Sequence, residues 1–177
     1  MAKYSVPFQL SHDIDLFCKI GSSYCHFATN GGLIPDIIND RKYLGNTKQF
    51  ILQELHEIVT DEDIYINEEY VTKRVNYSYS HWNQELGMDF KKEYLRSFLE
   101  MARKGFLSYD RDIIPENYQR NSSGDIYILI AKPINHSCHE KIHNLLMSFS
   151  NKPFGEQGEV VFINEINQSN ITTDESN

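Results

Sequence analysis

Cysteine is scarce in this sequence, with three among 177 residues. A small, odd number of cysteines does not predict a framework of disulfides, which is the usual support of small secreted domains. The sequence also lacks an apolar run long enough for a signal peptide or a membrane-spanning helix. We therefore expect a cytoplasmic protein that keeps its thiols reduced and does not enter a membrane.

Positive charge is also in short supply. Seventeen lysines and arginines stand against twenty-five acidic residues, so the formal net charge is −8. This balance argues against a protein that coats nucleic acid or binds a membrane surface. Residues 87–132 are the exception, because they carry eight basic and seven acidic side chains. If the chain binds DNA, this segment is the one that we expect to make the contact.

Residues 13–29 have the pattern of a β-hairpin. The predicted turn is Gly21-Ser22, since glycine at the first position suits a two-residue type II′ turn. That turn fixes a register in which Cys18 faces Cys25 and Phe17 faces His26. One face then forms a core surface with Ile14, Leu16, Cys18, Ile20, Cys25 and Phe27. The opposite face collects Asp13, Asp15, Phe17, Lys19, Tyr24 and His26.

This second face has two interpretations. Asp15 lies diagonal to His26 in the predicted register, with His12 and Asp13 nearby, and a carboxylate can orient an imidazole for general-base catalysis. The simpler interpretation is a polar sheet face that water or a helix covers. The pattern alone does not decide which helix would cover it.

Helix signals are densest after residue 88. Asp89 can cap a helix and Gly105 suits its left-handed end, while Phe90, Tyr94, Phe98 and Met101 recur every three or four residues. Two strands are then predicted in the segments FLSYDRD and DIYILIAKP, with a polar gap between them. Two further helices are predicted upstream, at residues 48–59 after Thr47 and at residues 68–75 after Asn67.

Helix, strand, loop and returning strand in this order resemble a winged helix. The resemblance covers residues 47–133 and concerns the fold alone, without a named family. Residues 76–89 depart from it, because a helix-turn-helix connection has three or four residues. The resemblance implies that cations of the third helix and of the wing contact the phosphates of double-stranded DNA. These are Lys91, Lys92, Arg96, Arg103, Lys104, Arg111 and Arg120.

Three histidines, His136, His139 and His143, form the tightest cluster of potential metal ligands. The string HEKIH matches the His-Glu-x-x-His pattern of zinc hydrolases, in which Glu140 would activate water. Against this hypothesis, Glu140 also fits a capping box with Ser137, and no later histidine completes the site. We expect no catalytic residue, metal or cofactor, and a metal-dependent hydrolase is the alternative.

Together these patterns predict an α+β protein. An N-terminal β-hairpin layer occupies residues 1–46, a winged-helix-like body with a C-terminal helix occupies residues 47–163, and a disordered tail occupies residues 164–177. The expected function is non-enzymatic binding or regulation, with DNA or a protein as partner. An acidic inhibitor or immunity-type protein is a further alternative. A predicted edge strand near Val160 offers a surface for a homodimer.

Overall fold

The computed structural model describes residues 2–20, 23–34, 39–81, 89–114, 127–135 and 171–172. This part is a mixed α+β fold with four helices and a sheet of five strands, beside which lies a sixth strand of two residues. The helices are α1 (Val6–Ser11), α2 (Arg41–Glu54), α3 (Glu68–His81) and α4 (Phe90–Arg103). The strands are β1 (Asp15–Ile20), β2 (Ser23–Ala28), β3 (Ile64–Ile66), β4 (Leu107–Arg111), β5 (Tyr127–Pro133) and β6 (Ile171–Thr172).

The five strands lie in the order β1-β2-β4-β5-β3. Neighbours are antiparallel except β2 and β4, which run parallel with His26 beside Ser108 and Ala28 beside Asp110. This parallel contact joins the first two strands to the rest of the sheet. Residues of the two units expected at 1–46 and 47–163 therefore share one sheet.

The register predicted for β1 and β2 is confirmed, since Cys18 pairs with Cys25 and Phe17 with His26. The turn at residues 21–22 lies outside the described residues. Both faces of this strand pair are buried. The face of Cys18 and Cys25 packs with Ile34 and Leu44, and the opposite face lies beneath apolar side chains of two helices. The latter cluster contains Phe17, Tyr24, Ile51, Leu55, Met101 and Phe106.

Helix α4 agrees closely with its prediction. The carboxylate of Asp89 accepts a hydrogen bond from the Lys92 amide at 3.2 Å, and Gly105 has a φ of 93°. Leu95, Phe98 and Ala102 of α4 are buried in one cluster with residues of α3 and β5. Of the predicted stripe, Phe98 and Met101 are buried while Phe90 and Tyr94 are half-buried, and Leu95 and Ala102, which the prediction did not include, complete the buried face.

Three upstream expectations need correction. Helix α2 begins at Arg41 and ends at Glu54, so Thr47 is a buried residue inside it and not its cap. Asp40 does the capping, because its carboxylate accepts from the Lys42 amide at 3.0 Å. Asn67 is confirmed as the cap of α3, but that helix continues to His81. The predicted connection at residues 76–89 is shortened accordingly, and residues 82–88 of it lie outside the described part.

Two short elements carry no clear sequence signal. β3 has three residues and pairs with the end of β5, from Ile64 beside Pro133 to Ile66 beside Ala131. β6, inside the segment expected to be disordered, pairs with Tyr127 and Ile128 at the start of β5. β3 pairs only with residues 131–133 of β5, so the start of β5 has room for β6 on the same side. The predicted helix at 138–149 and the strand near residue 160 lie outside the described residues.

Candidate functional site

A histidine, a carboxylate and a serine are hydrogen-bonded in a row across three neighbouring strands. His26 of β2 contacts Asp15 of β1 through Nε2, at 2.9 Å from Oδ1. Its other ring nitrogen, Nδ1, lies 2.6 Å from the hydroxyl of Ser108 on β4. The diagonal contact between Asp15 and His26 is the one that the register predicted. His12 does not join it, because its ring bonds to Ser11 and to the Phe8 carbonyl.

The charge on Asp15 fixes the direction of these hydrogen bonds. Burial by itself would raise the pKa of Asp15, but the hydrogen bond from His26 and an ion pair with Lys48 lower it to about 2. An ionised carboxylate only accepts, so Nε2 of His26 carries a proton. When His26 is neutral, Nδ1 accepts from the hydroxyl of Ser108. These are the components of a nucleophilic relay.

The surroundings of this row give it a structural role. His26 is 1 % exposed and Ser108 is fully buried. The imidazole stacks on Phe17 at 5.2 Å between ring centroids, and Phe98 of α4 lies 6.1 Å away. Among the described residues, Phe17 and Phe98 lie against the imidazole, and the serine hydroxyl has no exposed surface. The row therefore links β1, β2 and β4 through polar contacts that are buried at His26 and Ser108 and reach the surface at Asp15.

The Asp15→Asn variant is expected to lose about 2 kcal/mol of unfolding free energy at pH 7. A lowered pKa in the folded state gives stability above the unfolded pKa near 4, and this stability is lost as the pH falls through about 2. The difference between wild type and variant should therefore shrink between pH 4 and pH 2. Urea unfolding followed by circular dichroism measures it.

The matched control for Asp15→Asn is Glu69→Gln, which removes a carboxylate from the exposed ion pair of Glu69 with Lys73. Exposed pairs contribute little, so we expect a small change at every pH. Equal effects of the two substitutions at pH 7 would show that the Asp15 contacts add no stability.

A second polar cluster fastens two helices to β4. Tyr94 of α4 donates its hydroxyl to Asp110 Oδ2 at 2.7 Å, and Nε of Arg74 from α3 lies 3.8 Å from the same oxygen. The Arg74 guanidinium also lies over the Tyr94 ring, 5.5 Å from its centroid. One helical turn earlier in α3, Tyr70 donates to Asp112 at 2.9 Å.

Burial sets the protonation of this cluster. Asp110 is 2 % exposed, and desolvation raises its pKa to about 7 although Tyr94 and Arg74 favour the charged form. Desolvation also raises the pKa of the Tyr70 and Tyr94 hydroxyls, with the nearby Asp110 adding to the effect. The two tyrosines therefore stay protonated and serve as hydrogen-bond donors. Asp110 is the group in this cluster that titrates near neutral pH.

The outward surface of α4 is the second candidate site. An open groove of about 560 Å³ runs along it and is lined by Asp89, Lys92, Glu93, Arg96, Leu99 and Arg103. Four of these residues recur every three or four positions and form what we call the outer stripe of α4: Lys92, Arg96, Leu99 and Arg103. The stripe combines three cations with one half-buried leucine, and two acids flank it.

The cations predicted to contact DNA have different environments. Lys91, Arg96 and Arg103 each lie at 2.6–2.7 Å from a carboxylate, which belongs to Glu68, Glu93 and Asp61 respectively. Lys92 is exposed.

Two cations of that prediction bond to backbone carbonyls of the fold, Lys104 as a buried residue and Arg111 as a half-buried one. Lys104 is 6 % exposed and its ammonium donates to the carbonyl of Leu55, while Arg111 donates to the carbonyl of Asn30 at 3.2 Å. These two side chains support the structure where they lie. Arg120, and the proposed metal cluster of His136, His139, Glu140 and His143, lie outside the described residues.

The sequence patterns gave no role to Ser108, Asp110 or Arg74. Ser108 and Asp110 alternate with Leu107 and Tyr109, a pattern that usually marks a water-facing side of a strand. An aspartate next to an aromatic residue within a predicted strand was the one available signal. Its significance depends on α3 and α4 covering that face.

Among the described residues, no three histidine, cysteine, aspartate or glutamate side chains lie close enough together to hold a metal ion. None of the described helices is long and apolar enough to cross a membrane. Comparison with protein-family models, with curated proteins and with solved structures gave no significant match to this chain.

Proposed function

We propose that the protein is a non-enzymatic binding or regulatory module with a winged-helix-like body, and that it docks a protein partner along the outer stripe of α4. The order of elements from α2 to β5 supports the winged-helix-like body: helix, strand, two helices, then two strands. In the sheet, β5 lies between β4 and β3, and α4 packs against β4 and β5. This arrangement leaves Lys92 and Arg96 of the outer stripe exposed, whereas Leu99 is half-buried against the cluster that α4 forms with α3 and β5.

The composition of the groove favours a protein as the partner. Cations and acids alternate along it, with Leu99 half-buried among them. Mixed charge around an apolar contact is typical of protein surfaces that recognise other proteins, whereas a phosphate backbone requires an excess of cations. The ion pair of Arg96 with Glu93 is exposed and contributes little to stability, so a partner carboxylate can replace Glu93. The groove is the observation that carries this proposal.

A photoreactive amino acid tests the docking surface. We expect benzoylphenylalanine in place of Arg96 or Leu99 to crosslink to one protein when host cells are irradiated. The adducts from the two positions should show the same increase in mass. The same residue in place of Lys42, which is exposed on α2, should give no such adduct. Adducts from position 42 that match those from positions 96 and 99, or no adduct from either α4 position, would count against docking at α4.

Double-stranded DNA is the second candidate, because Lys92, Arg96 and Arg103 lie on one side of α4. Three phosphate contacts would weaken binding roughly 40-fold between about 50 and 200 mM salt. The Lys92→Glu/Arg96→Glu variant would abolish that binding, whereas Lys42→Glu/Lys73→Glu, with the same change in net charge, would not. Fluorescence anisotropy of a labelled duplex distinguishes the candidates, since a protein-docking module gives no such salt-dependent difference.

A further inference from the structure

Two cysteines face each other across the first two strands. Cys18 of β1 and Cys25 of β2 are register partners on the same face of the sheet. They are 0 % and 1 % exposed, and they pack in one cluster with Leu16, Phe27 and Tyr109. Cysteine serves as a small apolar residue in many cores, so burial alone assigns no chemistry. The pairing of two thiols is the feature that requires an account.

The backbone spacing at this pair suits a disulfide. The Thr29 amide donates to the Ile14 carbonyl at 3.1 Å, so the pair of residues 14 and 29 is of the hydrogen-bonded type. Along an antiparallel strand pair, hydrogen-bonded and non-hydrogen-bonded residue pairs alternate. Cys18 and Cys25 lie four residues along the strands from Ile14 and Thr29, so they form a hydrogen-bonded pair as well. Cα atoms of such a pair are about 5.5 Å apart, within the 4.4–6.8 Å that disulfides span.

The two thiols also belong to one buried cluster on the same face of the strand pair. A hydrogen bond with the Cys25 thiol is the first cause that raises the pKa of Cys18, and burial is the second. The Cys25 thiol in turn lies 3.8 Å from the Ser23 carbonyl. Each sulfur therefore has the other as a neighbour without any change of backbone conformation.

We propose that Cys18 and Cys25 are a disulfide-forming dithiol, a modification site that acts as an oxidisable clasp between β1 and β2. With a peroxide as oxidant, one thiolate attacks the O–O bond and becomes a sulfenic acid while the peroxide is reduced to water. The second sulfur attacks the sulfenic sulfur, the S–O bond breaks, and a second water leaves. Two thiols and one peroxide give one disulfide and two waters, and dithiol reductants reverse the reaction.

The two steps should have very different rates. Thiolates are the reactive species, and a buried thiol with a raised pKa ionises rarely, so the first oxidation is slow. β1 has β2 as its sole neighbour among the described strands, which makes the strand pair a local unit that can open. Once one sulfur is oxidised, the pairing of the two residues makes closure fast. The sulfenic acid should therefore not accumulate.

Intact mass and peptide mapping test this inference without reference to the α4 surface, so its failure and the failure of the proposed function are separate results. The full chain is treated with hydrogen peroxide while circular dichroism confirms the fold, and remaining thiols are alkylated in denaturant. We expect alkylation of one of the three thiols and a peptide that links Cys18 to Cys25. Before alkylation, the mass of the oxidised chain should be lower than that of the reduced chain by two hydrogens. After reduction with dithiothreitol, all three thiols should be alkylated.

Cys138→Ser is the matched control, since it removes the third thiol and should leave the same disulfide with no alkylated residue. Cys18→Ala and Cys25→Ala should each prevent it; the wild-type peptide map is decisive if these core variants do not fold. Full alkylation of both thiols after peroxide treatment would overturn the proposal. A link that involves Cys138, or sulfinic acid at either position without a disulfide, would overturn it equally.

Discussion

The free energy of unfolding is expected to fall by on the order of 3 kcal/mol from pH 5 to pH 8 because of one residue, Asp110. Its pKa is about 7 in the folded protein and near 4 in the unfolded chain, where it is exposed to water. The folded state therefore keeps a proton that the unfolded state has lost. A group with a raised pKa contributes most below its unfolded pKa, and this contribution disappears as the pH rises through 7.

The Asp110→Asn variant should lack most of this pH dependence, because asparagine does not titrate. Urea unfolding at several pH values gives the pH dependence of stability for wild type and variant, and the difference between them isolates Asp110 from groups that both proteins share. Asp61→Asn is the control: its ion pair with Arg103 lowers the pKa of Asp61, so it stays ionised throughout this range. Equal slopes for wild type and Asp110→Asn would contradict the assignment.

The Arg74→Met variant is expected to lose about 1 kcal/mol more unfolding free energy at pH 8 than at pH 5, because the folded pKa of Asp110 is about 7. Methionine keeps much of the length of the side chain but removes the buried cation that faces Asp110. At pH 8 the loss of the cation raises the pKa of Asp110 further, so its carboxyl group takes up a proton although the Tyr94 hydroxyl and the Arg111 backbone amide still favour the charged form. At pH 5 Asp110 is protonated in any case, so the loss should be clearly smaller.

Lys73→Met is the control for Arg74→Met. Lys73 is the preceding residue of α3 and pairs with Glu69 at the surface, where its loss should have little effect. The double variant Arg74→Met/Asp110→Asn should show no such difference between pH 5 and pH 8, because the group that responds to the loss of Arg74 no longer titrates. A loss for Arg74→Met that is as small as that for Lys73→Met at pH 8 would show that Asp110 does not depend on the arginine.

Elements with complete local signals could be predicted closely. The bounds of α4 follow from a cap at Asp89, an apolar stripe and Gly105, all within seventeen residues of sequence. The register of β1 and β2 follows from the two residues that connect them in the sequence. A connection of this length favours one pairing of the strands, and in that pairing each face of the strand pair carries apolar side chains. In both cases the residues that determine the structure are neighbours in the chain.

Other elements depend on partners that are distant in sequence. Thr47 is a favoured residue at helix caps, yet α2 buries it, and the capping contact is made by Asp40. β3 has only three residues, and its position is fixed by pairing with β5 and by the Asn67 amide, which donates to Ile130. No pattern of a three-residue segment distinguishes a strand from a loop.

The candidate sites divide in the same way. The contact of Asp15 with His26 could be predicted, because both lie on one strand pair. Ser108 could not, since its contact with His26 requires β2 and β4 to lie side by side. Nor could the pairing of Arg74 with Asp110, which depends on how α3 lies across the sheet. For the α4 surface, the helix was predicted, but the acids that pair with its cations include Asp61 and Glu68 from elsewhere in the chain.

The parallel pairing of β2 with β4 has a consequence for biosynthesis. His26 and Ser108 are separated by 82 residues, so at usual translation rates β4 leaves the ribosome roughly 4–16 s after β2. During that interval the backbone amides and carbonyls on one side of β2 have no neighbouring strand. The nascent chain would then carry an open, apolar strand edge that can recruit another chain, and we expect its yield to depend on chaperones that bind early.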